Sequence, residues 1–530
     1  MKSIHTATLR QGGLSPHDAL QIYNGLDCAL TVEIFEEVSG PNMSEVSPSA
    51  RLVYDFERGM QAPALDMMMR GWKVDLFKRD LAVATLERQR RIVQEILDEF
   101  VCVLWENGTS PLDPRKKTPG LNPASPKQMK EFLYERLNLP EQYSYAKGER
   151  RLTTNREALE KLDDYFHARP FVRCVLKLRD LSKKISVLHT EVSSDGRMHT
   201  SYNVTGTETG RWSSSRSAFD EGTNLQNITE ELRSIFVADP GKKLAYIDKS
   251  QAESRALGFI IWDLFGDPAY LDACESGDLH TMVCKLIWKD LPWTGDPEAD
   301  KEIAEQKFYL HYSYRDMAKR GGHGTNYYGT PRTMARHLKV RVKLIEDFQA
   351  GYFSAFPGIQ EYHRWVARKI GVHPHYLETP LGMGRHFFGR PNDDTTLREG
   401  IAFLPQSMVG QLLNLALWRI WKYAPEVECL GQIHDAVVIQ YDENREDEIL
   451  PKIVSLMPTP LVSRGRTMVI PSDVMVGWNW AKFNDKPKGK DGKPKPLNLD
   501  GLKKWAGHDD RTRQIDPDAS GLDRVVSSIY

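Results

Sequence analysis

Apolar residues return every three to four positions through most of this chain and alternate with polar ones in only a few short stretches. Ala19, Ile22, Leu26, Leu30 and Ile34 predict one amphipathic helix over residues 18–38. The Ser/Pro-rich stretch from Pro41 to Pro48 ends it. A second helix is predicted from about Ala50 to Met69, stopped by Gly71, and a long one over 76–104 with a basic outer face. Residues 107–126 read as loop, and Ser125 opens a short helix with Pro126 suited to its first turn. Further helices are predicted over about 154–166 and 170–188, and residues 197–204 alternate like a strand. Beyond Asp248 the helical period continues to about residue 370. Strand and turn signals return over 376–389, and a last long helix is predicted over 399–423. Two apolar runs frame this helical stretch. The first, Lys243 to Ile247, ends at Asp248. The second, Cys429 to Ile433, meets His434-Asp435 before Ala436 to Tyr441 runs back as a hairpin.

A chain of 530 residues is too long for one hydrophobic core and is expected to divide into subdomains. Hydrophobic and charged fractions of 40% and 27% are those of a globular protein, and no stretch approaches the ~20 apolar residues of a membrane span. The six cysteines are scattered without a Cys-x-x-Cys pair, which predicts reduced thiols and a cytoplasmic setting. A net charge of -1 excludes a dedicated nucleic-acid coat protein. Charge is nevertheless uneven: Arg70 to Arg91 and Arg115 to Arg151 are rich in Lys and Arg. Such local basic surface suffices to track phosphates. Lys486 to Pro496 reads as a basic Pro/Gly linker that cannot bury a core.

The two aspartates carry the candidate chemistry. Asp248 alone reads as a turn or cap residue, and Ser250 with Glu253 predicts a capping box that starts a helix behind it. His434-Asp435 is a poor turn pair beside Asn-Gly or Asp-Gly, so a requirement other than turn chemistry selects it. Together the two carboxylates can hold two divalent ions, magnesium or manganese, in the manner of two-metal catalysis. Between them, Arg315, Lys319, His323 and Tyr327 recur every fourth residue along one helix face, a row able to hold a triphosphate. Gly321, Gly322 and Gly324 interrupt this row at roughly 1 kcal/mol each relative to Ala, which predicts close ligand approach or a helix that moves.

These segments resemble motifs A, B and C of the family A DNA polymerases. Thr207-Glu-Thr-Gly-Arg211, Asn224-Leu-Gln-Asn-Ile228, Arg179-Asp-Leu-Ser-Lys183, Asp278-Leu-His280, Tyr352-Phe with Phe356-Pro-Gly358, Arg398 and Gln406 also fall where that family has counterparts. The resemblance covers roughly residues 15–483, in the family's order. It implies an α+β right-hand polymerase fold that adds dNTPs to a primer 3' end on a DNA template. Asp248, Asp435 and the backbone carbonyl of Lys249 would hold two Mg2+ ions, with Mn2+ as a substitute. Arg315 and Lys319 would bind the triphosphate, and Lys319 would donate a proton to pyrophosphate. His280 would touch the phosphates, His323 would face the sugar, Glu253 would be the steric gate against a 2'-hydroxyl, and Tyr327 would stack near the templating base. Arg211, Gln226, Arg398, Gln406, Gln432, His434 and Lys183 would contact the primer-template.

The resemblance divides the chain into an exonuclease remnant (1–45), a connection (46–75), a thumb (76–190), palm with motif A (191–260), fingers (261–370), palm with motif C (371–483) and a tail (484–530). Tyr23 and Asp27 resemble the last motif of a 3'-5' exonuclease, but no Asp-x-Glu precedes them. The expectation is a chain that does not proofread, with a separate exonuclease chain or replisome protein as a candidate partner and no membrane association. The tail offers a further tether through the apolar patch ending at Tyr530. Two departures stand out. Ala436 replaces the glutamate that usually follows the motif C aspartate, and His323 replaces the usual Phe or Tyr. With the compact length, these point to phage DNA replication in a bacterial host cytoplasm. A single-subunit RNA polymerase is the first alternative, opposed by Glu253. A non-catalytic DNA-binding assembly protein is the second, opposed by the intact Asp248, Asp435, Arg315 and Lys319.

Overall fold

The computed structural model describes residues 15–39, 48–103, 121–146, 149–217, 221–391, 393–488 and 495–507. They form two compact units, one from the described residues up to 59 and from 286–408, the other from 60–285 and 409–507.

The second unit is built on five strands: Lys242–Lys249 (β1), Glu428–Ile433 (β2), Ala436–Asp442 (β3), Ser472–Gly477 (β4) and Lys503–Lys504 (β5). They pair antiparallel in the order β2-β3-β1-β4-β5. Strand β3 is buried along nearly its whole length, as its apolar run Ala436 to Ile439 requires. Under the sheet lie Trp72, Met198, Phe236, Leu244, Val438, Trp480 and Leu502. The rings of Trp72 and Trp480 pack at 4.7 Å, with Phe236 edge-on to both. A second core joins the helices Leu76–Val103 and Arg169–Leu188 through Leu97, Phe132, Leu159, Val172 and Val175. Beside it a groove of about 940 Å³ is lined by Arg88, Arg90, Arg91 and Arg179. Arg179 itself ties the groove together, donating to the carbonyls of Pro123 at 2.8 Å and Thr154 at 2.6 Å.

The first unit is mainly helical. The helix Tyr314–Asn326 packs on Val342–Ala355, which also carries Pro331–Leu338.

Several expectations are corrected. The helix predicted from Ala50 to Met69 is two, Pro48–Gly59 and Gln61–Arg70. Pro63 lacks the N–H that would bond Gly59, and its ring opposes that carbonyl. The N-terminal helix Pro16–Ser39 forms, but Ile22, Leu26, Leu30 and Ile34 of its stripe are exposed rather than buried. The helix Asp394–Tyr423 does have the length and mean hydropathy (1.2) of a membrane span, yet 89% of that window is buried inside the protein.

The segment past Phe483 is not merely a linker. Leu502 and Trp505 are buried, Trp505 N–H donates to the Val474 carbonyl at 3.0 Å, and β5 extends the sheet. The Lys and Pro content dominated the sequence signal, whereas two apolar anchors decide the structure. The apolar patch from Leu522 to Tyr530 lies outside the described residues.

Candidate active site

Strand register brings the two aspartates to one end of the sheet. Ala436, the first residue of β3, stands directly opposite Asp248 of β1. The Lys249 N–H donates to the Asp435 carbonyl at 3.0 Å, locking the hairpin tip to the strand end. His434 adopts the left-handed conformation (φ 55°) that a two-residue turn needs, which His tolerates better than most side chains.

Burial pushes the Asp248 carboxyl up to about 7, and the nearby Asp435 and Asp473 carboxylates add to the shift. Asp435 is raised as well, by burial, with the Arg211 guanidinium opposing. Lys249 is wholly buried: its side chain donates to the Met457 carbonyl at 2.9 Å, and burial helped by Arg419 pushes its pKa down to about 7.

Arg211 gathers the site. One of its terminal nitrogens lies 2.6 Å from Glu253 and 3.1 Å from Asp435. Glu253 sits in the first turn of the helix Ala252–Phe265. The capping box predicted from Ser250 and Glu253 is absent. The helix is preceded by Gln251 in the left-handed region (φ 53°), Ser250 bonds Pro471, and the Glu253 carboxylate is held by Arg211.

Not every predicted DNA contact faces outward. Gln432 is 3% exposed and its amide donates to Asn414, while Gln226 donates to the Gln432 carbonyl at 3.1 Å. Both side chains are thus engaged in hydrogen bonds that hold the hairpin. His434 and Lys183 are exposed, and His280 is half-buried near the start of Leu279–Ile287.

In the first unit the predicted row largely holds. A reciprocal capping box of Ser313 and Asp316 starts the helix. Arg315, Lys319 and His323 lie along one side, opposite buried Met317, Ala318, Gly321 and Gly322. Tyr327 ends the helix as its C-cap, its ring 4.9 Å from His323 and edge-on. The glycines have a packing cause. A Cβ on Gly321 would meet the Phe348 ring at 2.6 Å, and one on Gly324 would meet Met334 at 2.8 Å. Close helix approach is thus one reason for these glycines. Arg398 and Gln406 are half-buried on Asp394–Tyr423, and Tyr23 and Asp27 lie on the N-terminal helix.

Among the described residues no preassembled group of three or more His, Cys, Asp or Glu could hold a metal ion. Two hard carboxylates raised by burial nonetheless suit magnesium, which takes one or two protein carboxylates and completes its shell with water and phosphate. Sequence reasoning passed over Asp473, which register places opposite Asp248 on β4. The short apolar run Val474 to Val476 fits a strand but does not name its neighbour.

Among solved structures, the chain is similar to the POL domain of Pol1 from M. smegmatis, solved in complex with DNA primer-template and dNTP. The likeness has a TM-score of 0.61 at 22% identity and covers 80% of this chain and 70% of that one. The fold is thus that of a polymerase domain, α+β with palm, fingers and thumb. The model of DNA polymerase family A matches residues 115–482, and the chain belongs to that family. Curated relatives include DNA polymerase I of Helicobacter pylori, 27% identical over 351 residues, 63% of this chain and 35% of that protein. The thermostable DNA polymerase I of Thermus thermophilus is 26% identical over 371 residues, 66% of this chain and 40% of that protein. The chain thus spans well under half the length of these relatives.

Proposed function

We propose that the chain is a DNA-templated DNA polymerase that adds dNTPs to a primer 3' end. The observation that carries this reading is the register that joins Asp248 and Asp435, with Arg211 bridging Asp435 to Glu253. The primer 3'-oxygen attacks the α-phosphorus, the new O–P bond forms as the bond to the β-phosphate oxygen breaks, and pyrophosphate leaves. Asp248 and Asp435 would hold magnesium or manganese, which when bound lowers the pKa of the attacking hydroxyl and offsets the charge of the leaving group. Arg315 and Lys319 bind the triphosphate, and Lys319 supplies a proton to the pyrophosphate. Held at 2.6 Å by Arg211, Glu253 is fixed in direction, as exclusion of a ribose 2'-hydroxyl requires. His280 touches the phosphates, His323 faces the sugar, and Tyr327 stacks near the templating base. Arg211, Gln226, Arg398, Gln406, Gln432, His434 and Lys183 contact the primer-template. Ala436 and His323 support a phage replication setting.

Primer extension on a DNA template tests this. Asp435→Ala is expected to abolish dNTP addition with DNA binding kept. Substantial synthesis by that variant, or ribonucleotides used as readily as dNTPs by the unaltered chain, overturns the reading.

A further inference from the structure

Strand pairing puts three residues in line at the catalytic end of the sheet. Asp248 on the central strand stands opposite Ala436 on one side and opposite Asp473 on the other. Directly opposed residues share a face, with Cβ atoms about 4.5–5.5 Å apart. The position opposite Asp248 on β3 is therefore apolar, and a carboxylate occupies the mirror position on β4.

Like charges directly opposite one another destabilise a sheet. Among the described residues nothing relieves this pair. Asp473 is exposed, and no described side chain bonds or pairs with its carboxylate. Both aspartates open on a cavity of about 440 Å³ whose wall also carries Arg233, Lys482 and Lys504. These cations are engaged elsewhere or stand apart. Arg233 lies over the Trp480 ring at 4.5 Å, Lys482 is 3.6 Å from Glu230, and Lys504 makes no ion pair with either aspartate. An exposed, uncompensated carboxylate beside a metal-binding one attracts the hydration shell of a divalent cation.

We infer that Asp473 supplies the third carboxylate of the metal centre, from β4 instead of from the hairpin. It is a positioning residue: it accepts hydrogen bonds from water molecules of the ion that Asp248 holds, and adds negative charge beside it. The assignment rests on the metal reading of Asp248 and Asp435 above.

The test is Mn2+ titration of the full chain, with free Mn2+ followed by electron paramagnetic resonance. Asp473→Asn is expected to weaken Mn2+ binding about tenfold, the low end for an outer-shell partner. It is also expected to raise the Mg2+ needed for half-maximal primer extension, with activity recovered as Mg2+ is added. Ala436→Glu in the Asp473→Asn background is expected to restore affinity, which marks the loss as one of charge and not of packing. Thermal melts accompany each variant, with Asp473→Ser as a second replacement. Unchanged Mn2+ affinity in Asp473→Asn, or activity that no Mg2+ concentration recovers, overturns the inference. Asp248→Asn separates the two readings: if it abolishes Mn2+ binding while Asp473→Asn does not, only the role of Asp473 fails. If neither variant changes binding, the metal reading fails with it.

Discussion

Asp248 shows how a proposed catalytic centre opposes its own fold. Its carboxyl titrates at about 7 in the folded chain, against 3.8 for an ordinary aspartate, because it is buried beside two like charges. The folded state holds a proton that the unfolded state releases between those values. Its contribution to stability is therefore greatest below pH 4 and falls as pH rises to about 7. Asp248→Asn is expected to stabilise the metal-free protein at pH 8 by on the order of 1–3 kcal/mol and to change little near pH 4. Denaturant unfolding at the two pH values measures this, and equal effects at both would contradict the assigned cause. The same substitution removes the proposed metal ligand, so stability and synthesis move in opposite directions.

At the scale of elements, the sequence showed what lay within one segment and missed what lay between segments. The apolar runs ending at Asp248 and flanking Asp435 were legible because a continuous apolar run and a two-residue turn are local signals. The row from Arg315 to His323 was legible because helical spacing is local too. Asp473 was not, since only register reveals that β4 lies beside β1. The burial of Gln226 and Gln432 was not legible for the same reason, because it depends on Asn414 and the hairpin.

The glycines of the helix Tyr314–Asn326 make the point testable. Gly321→Ala is expected to cost about 1–3 kcal/mol, because Phe348 must move. Gly322→Ala should cost less, since its nearest neighbour, Tyr352, is 3.3 Å away. Phe348→Leu in the Gly321→Ala background is expected to recover part of the loss in chemical denaturation. A Gly321→Ala variant as stable as the parent would remove the packing explanation.

At the scale of the molecule, near-neutral net charge coexists with a groove whose four arginines outnumber its acidic residues, Glu87 and Glu95. Arg88, Arg90, Arg91 and Arg179 line it, and Arg179 is already committed to two backbone carbonyls. The other three are the candidates for phosphate binding. Replacing Arg88, Arg90 and Arg91 together with Ala is expected to weaken primer-template binding on any sequence. The slope of log affinity against log salt should fall by up to about 0.9 for each phosphate no longer neutralised. An unchanged slope would take the groove out of the DNA path. The overall plan was legible from the order of motifs along the chain. The division into compact units was not, because it joins residues up to 59 with 286–408, segments that share no pattern.

The short strand β5 has a bearing on solubility. An open sheet ends in unpaired N–H and C=O groups that recruit strands from other chains. Here the flank of β4, next to the catalytic end, is covered by residues folded back from beyond the family's matched span of 115–482. The covering strand is only Lys503–Lys504, both exposed, so a chain approaching that rim meets two positive charges and too short a template to extend. The two lysines thus make that rim a poor template for self-association.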